Sequence, residues 1–397
     1  MSQLIKYVSG IDIAKDKFDV CLMSVDDALC HKIKGTRHFP NTPAGFKDFL
    51  AWSGKHCREP GPMNTVMEAS GVYHERLALF LTEKKLTVSI ILPTKARRYM
   101  QALGLKSKND TIDAKGIALM GIQLKLDPWT PAQKFYWELR LLTRHYQSTQ
   151  ETRTCYLNQL HALDYSAYAS KEVKKQLEKT VALFDKQLEE AKGHIAQKIE
   201  SHTEAARKVA HITKINGINV LTIATLLAET GGFALFSSAA QLVSYAGYDV
   251  VENQSGLKAG KTRISKKGNS HIRRALHMPA LTAIRCDEPA FVNLYQRVYD
   301  RTKIKMKAYV AVQKKLLTTI YALWKNDTEY QSGYSVKNKI KKVVDSGNEE
   351  LRPSLPLVSK RNISAGKKKI VPPEGSTTQD KLQYNESPEA FFPLTQT

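Results

Sequence analysis

Four acidic residues in the first third of the chain stand where chemistry, not solubility, asks for a carboxylate. Asp12 lies in Tyr7-Val8-Ser9-Gly10-Ile11-Asp12-Ile13, apolar enough to be a buried strand, and Glu68 ends the short apolar run Thr65-Val66-Met67-Glu68. Asp110 and Asp113 are three apart in Asn109-Asp110-Thr111-Ile112-Asp113, a spacing that puts both on one face of a helix's first turn. Burying an ionised carboxylate without a partner is costly, so each acid has a plain explanation when taken alone. Asp12 could be protonated or salt-bridged, and the Asp110–Asp113 pair could cap a helix and compensate its dipole. Taken together, two acids at the ends of core strands and two on a helical face can surround one or two Mg²⁺ (or Mn²⁺) ions. The absence of His and Cys from the set matches the oxygen preference of such cations. Two-metal carboxylate sites serve in-line phosphoryl displacement.

Positioning these acids requires strands and helices in a definite order. Lys15-Asp16-Lys17 makes a polar turn between the Asp12 strand and Phe18–Leu22, so the first pair reads as an antiparallel hairpin. His31–Phe39 reads as a third strand, and Asn41-Thr42-Pro43 supplies a cap and first-turn proline for a helix over Ala44–Trp52. A strand ending at Glu68, a helix over Tyr73–Glu83, a strand over Val88–Leu92 and helices over Lys95–Leu103 and Thr111–Leu124 complete the series. Three antiparallel strands followed by parallel strands alternating with helices describe an α/β domain of the ribonuclease-H type, expected over residues 1–127.

The texture changes near Trp129-Thr130-Pro131. Leu139, Leu142, Tyr146, Thr149, Tyr156, Leu160 and Leu163 follow a three-four spacing broken by Arg153, and a second stripe runs from Val173 to Ile195. These two long helices predict a coiled-coil arm over 128–203, a spacer or dimerisation element. A mostly α-helical domain is expected over 204–332. In it, Gly217 between two helices resembles a helix-hairpin-helix turn, which offers backbone N–H groups to a phosphate, although a helix-ending glycine explains it equally well. From Gln254 to Arg285 the chain carries Lys258, Lys261, Arg263, Lys266, Lys267, Arg273 and Arg274 and no acid, its first half rich in Gly and Ser and its second half helical. Cations on flexible backbone suit a nucleic-acid backbone. A last helix is expected over Tyr309–Trp324, and 333–397 reads as a basic, poorly ordered tail.

Bulk composition agrees with a polyanionic partner. Sixty Lys+Arg against 38 Asp+Glu give a formal charge of +22 in 397 residues. No apolar run is long enough to span a membrane and no signal peptide opens the chain, so a cytoplasmic protein acting on nucleic acid is expected. The five cysteines show no close pairing, which argues against a disulfide framework or a zinc site.

Several motifs taken together resemble the DEDD transposases of the insertion-sequence one-ten family, which includes the Piv-type DNA invertases. They are Asp12 in Gly-Ile-Asp-Ile-Ala-Lys, Glu68 in Met-Glu-Ala-Ser-Gly, the pair in Lys-Asn-Asp-Thr-Ile-Asp-Ala-Lys, Gln-Ser-Gly, and Ile-Ser-Lys-Lys-Gly-Asn. The resemblance spans residues 5–325. It implies a RuvC-like nuclease domain, a coiled-coil arm, and a transposase domain whose serine nucleophile is Ser255 by position in Gln-Ser-Gly. It further implies a bridge RNA that pairs with donor and target DNA, a 5′-phosphoserine intermediate, and a homo-oligomer, dimers assembling to a tetramer. Asn109 stands where the family pattern has Thr, and Tyr248-Asp249-Val250 lacks the proline of the pattern.

Two other functions fit part of the sequence. A metal-dependent Holliday-junction nuclease would use the same four acids with water as nucleophile. A non-catalytic nucleic-acid-binding protein would fit the charge but leave the acids without a role.

Overall fold

The computed structural model of the chain describes residues 4–28, 30–57, 62–69, 71–104, 109–252, 254–255, 258–260 and 262–333. Lys261 and, Gly333 aside, the tail expected over 333–397 lie outside them. β1 (Leu4–Ile13) turns through Lys15-Asp16 into β2 (Lys17–Asp26), and the Ala14 N–H donates to the Lys17 carbonyl at 2.9 Å. β3 (His31–Pro40) runs antiparallel to β2. The Thr42 hydroxyl then accepts from the Gly45 N–H and Pro43 fills the first turn of α1 (Pro43–His56). β4 (Met63–Glu68), α2 (Glu75–Glu83) and β5 (Thr87–Ile91) follow, then α3 (Pro93–Ala102) and α4 (Asp110–Gln123). β1 pairs parallel with β4, and β4 parallel with β5, giving the strand order β3-β2-β1-β4-β5. This is the mixed α/β sheet expected from the sequence.

Alternation along the strands gives each face its own core. Tyr7, Ile11, Phe18, Val20 and Met67 pack with Phe46, Phe49 and Trp52 of α1 and Leu77 and Leu81 of α2. On the opposite face Val8, Val66 and Ile91 meet Ala96 of α3 and Ile117 and Met120 of α4, while Cys21 and Met23 meet Ala114 and Ala118. Gly10 lies on that second face, between Val8 and Asp12. A Cβ there would stand 2.2 Å from the Ala118 nitrogen and 2.3 Å from the Ala114 carbonyl, so only glycine lets α4 approach β1 this closely.

The remaining chain is helical. α5 (Lys134–Asp164) and α6 (Lys171–Glu200) form an antiparallel hairpin, with Tyr156 edge-on to Phe184 at 5.5 Å and Lys174 paired with Asp164 at the tip. Arg153, the polar break in the stripe, is satisfied by Asp185 of α6, Nε to Oδ1 at 2.6 Å. Beyond the hairpin come α7 (Thr203–Ile212), α8 (Val220–Thr230) and α9 (Ala239–Tyr245). The short strands β6 (Val250–Val251), β7 (Gln254–Ser255), β8 (Lys258–Ala259) and β9 (Arg263–Ile264) precede α10 (Ser270–Ala275), α11 (His277–Arg285), α12 (Pro289–Thr302) and α13 (Lys305–Asn326). β6 pairs with β9 and β7 with β8, both antiparallel. Leu139, Ile195 and Ile199 at the hairpin base share one core with Val209, Ile223, Leu227, Phe291, Leu316 and Ile320.

One sequence expectation changes here: the basic helix breaks at buried Leu276 into α10 and α11, and α12 follows where the sequence reading placed no element. Gly217, at φ +89°, is also held by packing, since a Cβ there would meet the Thr282 side chain at 2.7 Å.

Gly10→Val is expected to lower unfolding stability by about 3 kcal/mol or more, because backbone atoms of α4 cannot move aside without displacing the whole helix. Urea denaturation of the parent and the variant measures this.

Candidate active site

Period-two alternation aims the acids at the same place. Asp12 shares the α4 face of the sheet with Val8 and Gly10, and Asp19 of β2 is its direct cross-strand partner. Ile11 and Met67 are the last registered pair between β1 and β4, so Asp12 and Glu68 lie one step beyond it on neighbouring strands. Asn109 caps α4, its side-chain oxygen accepting from the Ile112 N–H at 2.8 Å, which places Asp110 and Asp113 in the first turn. Asparagine caps as well as the threonine of the family pattern, so this departure does not alter the helix start. The Asp12 carboxyl is pushed up to about 6, first by burial and then by the negative fields of Asp113, Asp110, Glu68 and Asp19. The four acids anticipated from sequence therefore form one electrostatic group, with Asp19 as a fifth.

Two further residues hold this group. The Lys17 ammonium bridges Asp110 at 2.7 Å and Asp19 at 3.1 Å, and these carboxylates hold its own pKa above the ordinary value. Asn41 donates to the Ala14 carbonyl at 3.0 Å and the Tyr73 carbonyl at 3.2 Å, tying the end of β1 to the segment after Glu68. Neither residue was singled out from the sequence. Asp19 escaped because the sequence reading gave the turn to Lys15-Asp16-Lys17, whereas β2 begins at Lys17 and the tighter turn sets Asp12 opposite Asp19.

The donor set suits a hard divalent cation. It is oxygen only, and Asp12, raised first by burial and then by its acidic neighbours, is a group that a nearby cation would favour in its ionised form. Among the described residues, no three His, Cys, Asp or Glu side chains stand close enough together to hold a metal ion as they are placed here.

Ser255 stands exposed on β7, in a sheet separate from the one that carries Asp12 and Glu68. Of the cations anticipated beside it, Lys258 lies on β8, and Arg263, Lys266 and Lys267 are exposed. Arg273 is committed inward, donating to the carbonyls of Ala246, Gly268 and Asn269 at 2.8–3.3 Å. Arg274 pairs with Glu151 of α5.

A buried network not seen in the sequence anchors this segment. Glu229 on α8, its side chain 1% exposed, receives Arg144 Nε at 2.7 Å and Nη2 at 2.9 Å, and Asn269 Nδ2 at 2.7 Å. Burial alone would raise its carboxyl, but the Arg144 and Asn269 hydrogen bonds hold it below the usual range. Asn269 also caps α10, and Ser265 donates to Asp249 at 2.8 Å. The Ile-Ser-Lys-Lys-Gly-Asn motif thus fastens the loop that follows Ser255.

Two family models match the chain. One, for a transposase of the DEDD IS110 type, covers residues 9–163, and the other, described as Transposase IS116/IS110/IS902 family, covers residues 209–296. The chain belongs to the IS110 transposase family. The first match contains all four expected acids, and the second contains Ser255 and the seven expected cations. Pilin gene-inverting proteins of Moraxella bovis and Moraxella lacunata are each 29% identical to this IS110-family chain over 315 residues, 79% of it and 94% of theirs. A solved structure of T. thermophilus RuvC in complex with Holliday junction substrate is 14% identical, covering 31% of this chain and 99% of that one at a TM-score of 0.24. As an IS110-family transposase the protein is an enzyme of DNA recombination. No helix among its described residues is long and apolar enough to cross a membrane.

The raised Asp12 carboxyl has a consequence for stability in the absence of metal. Between 3.8 and about 6 the folded state holds a proton that the unfolded state has lost, so stability falls as pH rises through that window and stays lower above it. Asp12→Asn is expected to raise the melting temperature of EDTA-treated protein by about 2 °C or more at neutral pH, solvent screening included. The gain fades as pH drops below the window. Thermal melts of both proteins across that range measure it.

Proposed function

We propose that the protein cleaves and rejoins donor and target DNA strands through Ser255, at a site completed by Asp12, Glu68, Asp110 and Asp113. The grouping of these carboxylates around Asp12 carries the reading, because a cation held there would offset both their charge and that of an incoming phosphodiester. The four acids would hold Mg²⁺ (or Mn²⁺), which when bound supplies charge stabilisation at the scissile phosphate. Lys17 balances Asp110 and Asp19 before that cation is taken up. The Ser255 oxygen forms a bond to phosphorus as the bond to the 3′ oxygen breaks. The hydroxyl proton ends on that 3′ oxygen, leaving a 5′-phosphoserine and a free 3′-hydroxyl. An exposed serine on a hairpin apart from the acids fits a composite site assembled when nucleic acid is bound. The likeness to the family further supports a bridge RNA as guide and a homo-oligomer, dimers joining as a tetramer, with the α5–α6 hairpin as the coiled-coil arm between a nuclease domain over 1–127 and a transposase domain over 204–332.

The placement of Ser255 on a separate sheet also favours a second reading, a junction-type nuclease in which water attacks. Labelled DNA on denaturing gels separates the two. Ser255→Ala is expected to lose the protein-linked strand that the parent forms while still binding DNA. Free 5′-phosphate ends released by the variant at the parental rate would establish the water mechanism.

The exposed cations carry a second expectation. Replacing Arg263, Lys266 and Lys267 together with alanine should reduce the slope of log K against log salt on duplex DNA by roughly 0.9 for each phosphate no longer neutralised. Arg273→Ala should instead lower thermal stability, since its guanidinium is committed to three backbone carbonyls. Fluorescence anisotropy across a salt series, paired with thermal melts, reads both.

A further inference from the structure

Between the base of the helical hairpin and the C-terminal helices lies a cavity of about 820 Å³ that the acid site does not use. Its lining includes Lys266, Arg273, Arg274, His271 and His277 and no aspartate or glutamate. A phosphate ion would fill only a small part of that volume, and much of the wall is neutral. Tyr146, Ile264, Met278 and Met306 offer apolar faces, while Gln147 and Asn219 offer amide groups. An acid-free cavity with flat apolar walls, hydrogen-bonding edges and a cation matches the parts of a nucleotide.

The two imidazoles are preset for such a ligand. Gln313, 4% exposed, accepts from the buried Tyr248 hydroxyl at 3.0 Å and donates through Nε2 to His277 Nδ1 at 3.0 Å. With Nδ1 accepting, the neutral His277 ring carries its hydrogen on Nε2 and is a donor there. His271 is set the other way. Its Nδ1 meets the Gln147 side-chain oxygen at 2.5 Å and must donate, which leaves Nε2 of the neutral ring as an acceptor. A cavity lined by one imidazole donor and one imidazole acceptor is complementary to the mixed edge of a nucleobase.

Position points to the source. Ile264 and Lys266 of the wall belong to β9 and the residues after it, the return limb of the segment that bears Ser255. Lys266 is exposed at the cavity wall, free to meet a phosphate, while Arg273 and Arg274 are already engaged. We propose that the cavity takes one unpaired nucleotide of the bound DNA, its base inside and its phosphate against Lys266, an inference that rests on the DNA-recombinase reading above. A paired base cannot enter, so the nucleotide must leave its stack.

Thr225 of α8 lines the cavity, and Thr225→Trp fills it without touching the acids or Ser255. Full-length parent and variant are titrated with a fluorescent DNA duplex carrying one unpaired nucleotide, the fully paired duplex, the RNA counterpart, and inorganic phosphate as competitor. The variant is expected to bind the unpaired DNA about tenfold more weakly, the worth of one stacked base, with the paired duplex within about twofold of parent. Circular dichroism checks its fold, and Gln147→Ala, which removes an amide from the wall, replaces it should tryptophan prevent folding. Equal affinity of both proteins for the unpaired DNA, an equal loss on both duplexes, a loss confined to RNA, or displacement by inorganic phosphate would each overturn the proposal. Binding is read without cleavage, so failure here leaves the Ser255 adduct test standing, and failure of that test leaves this one standing.

Discussion

The contact on which the acid site depends involves no charge at all: the backbone of α4 resting on β1 at Gly10. A helix normally stands off a sheet by the length of its side chains, yet here the Ala114 carbonyl and Ala118 nitrogen occupy the space a Cβ would need. Asp113 immediately precedes Ala114, and Asp12 is the next residue on the same face as Gly10. The missing side chain at one position therefore sets how closely two acids from distant parts of the chain approach. Gly121 repeats the device one turn beyond Ile117, where a Cβ would meet Val66 and Val8 side chains at 2.6 and 2.8 Å.

Such closeness carries an electrostatic cost, and the structure contains a partial answer to it. Burial and four neighbouring carboxylates raise Asp12 well above its ordinary range, and Lys17, at the start of β2, offsets two of those neighbours, Asp19 and Asp110. Lys17 is nearly half exposed, so the ammonium is held by its partners and not by packing. Held in this way, it can give up Asp110 without any rearrangement of the sheet.

Much of this arrangement was legible in the sequence because it rests on local rules. The polar turn after β1, the Thr42 and Asn109 caps, the proline at the start of α1 and the alternation along β1 and β2 each act over a few residues. The mixed sheet follows from them, while the approach of Asp110 and Asp113 to Asp12 needs the contact of α4 with β1 at Gly10. What escaped depends on tertiary contacts. Nothing near Arg153 announced Asp185, and nothing near Glu229 announced Arg144, 85 positions earlier. The basic run looked uniform, but only the fold distinguishes Arg273, turned onto three carbonyls, from Lys266 and Lys267, which face solvent. The break at Leu276 was hidden too, since helix propensity and burial in the C-terminal core both continue through it.

The Arg144–Glu229–Asn269 junction also has a mechanical meaning. Arg144 sits on α5 about 30 Å along the helix axis from the hairpin tip, at 1.5 Å rise per residue, and its far side is fixed through a buried carboxylate to the residue that starts α10. Buried charge-assisted bonds do not stretch as exposed ones do. Tyr165 and Tyr168, both exposed at the tip, stand at the far end of a lever whose base is joined through Glu229 to Asn269. The long hairpin is thus fastened near its base, by the shared core and by Glu229, to the helix start that follows the serine segment.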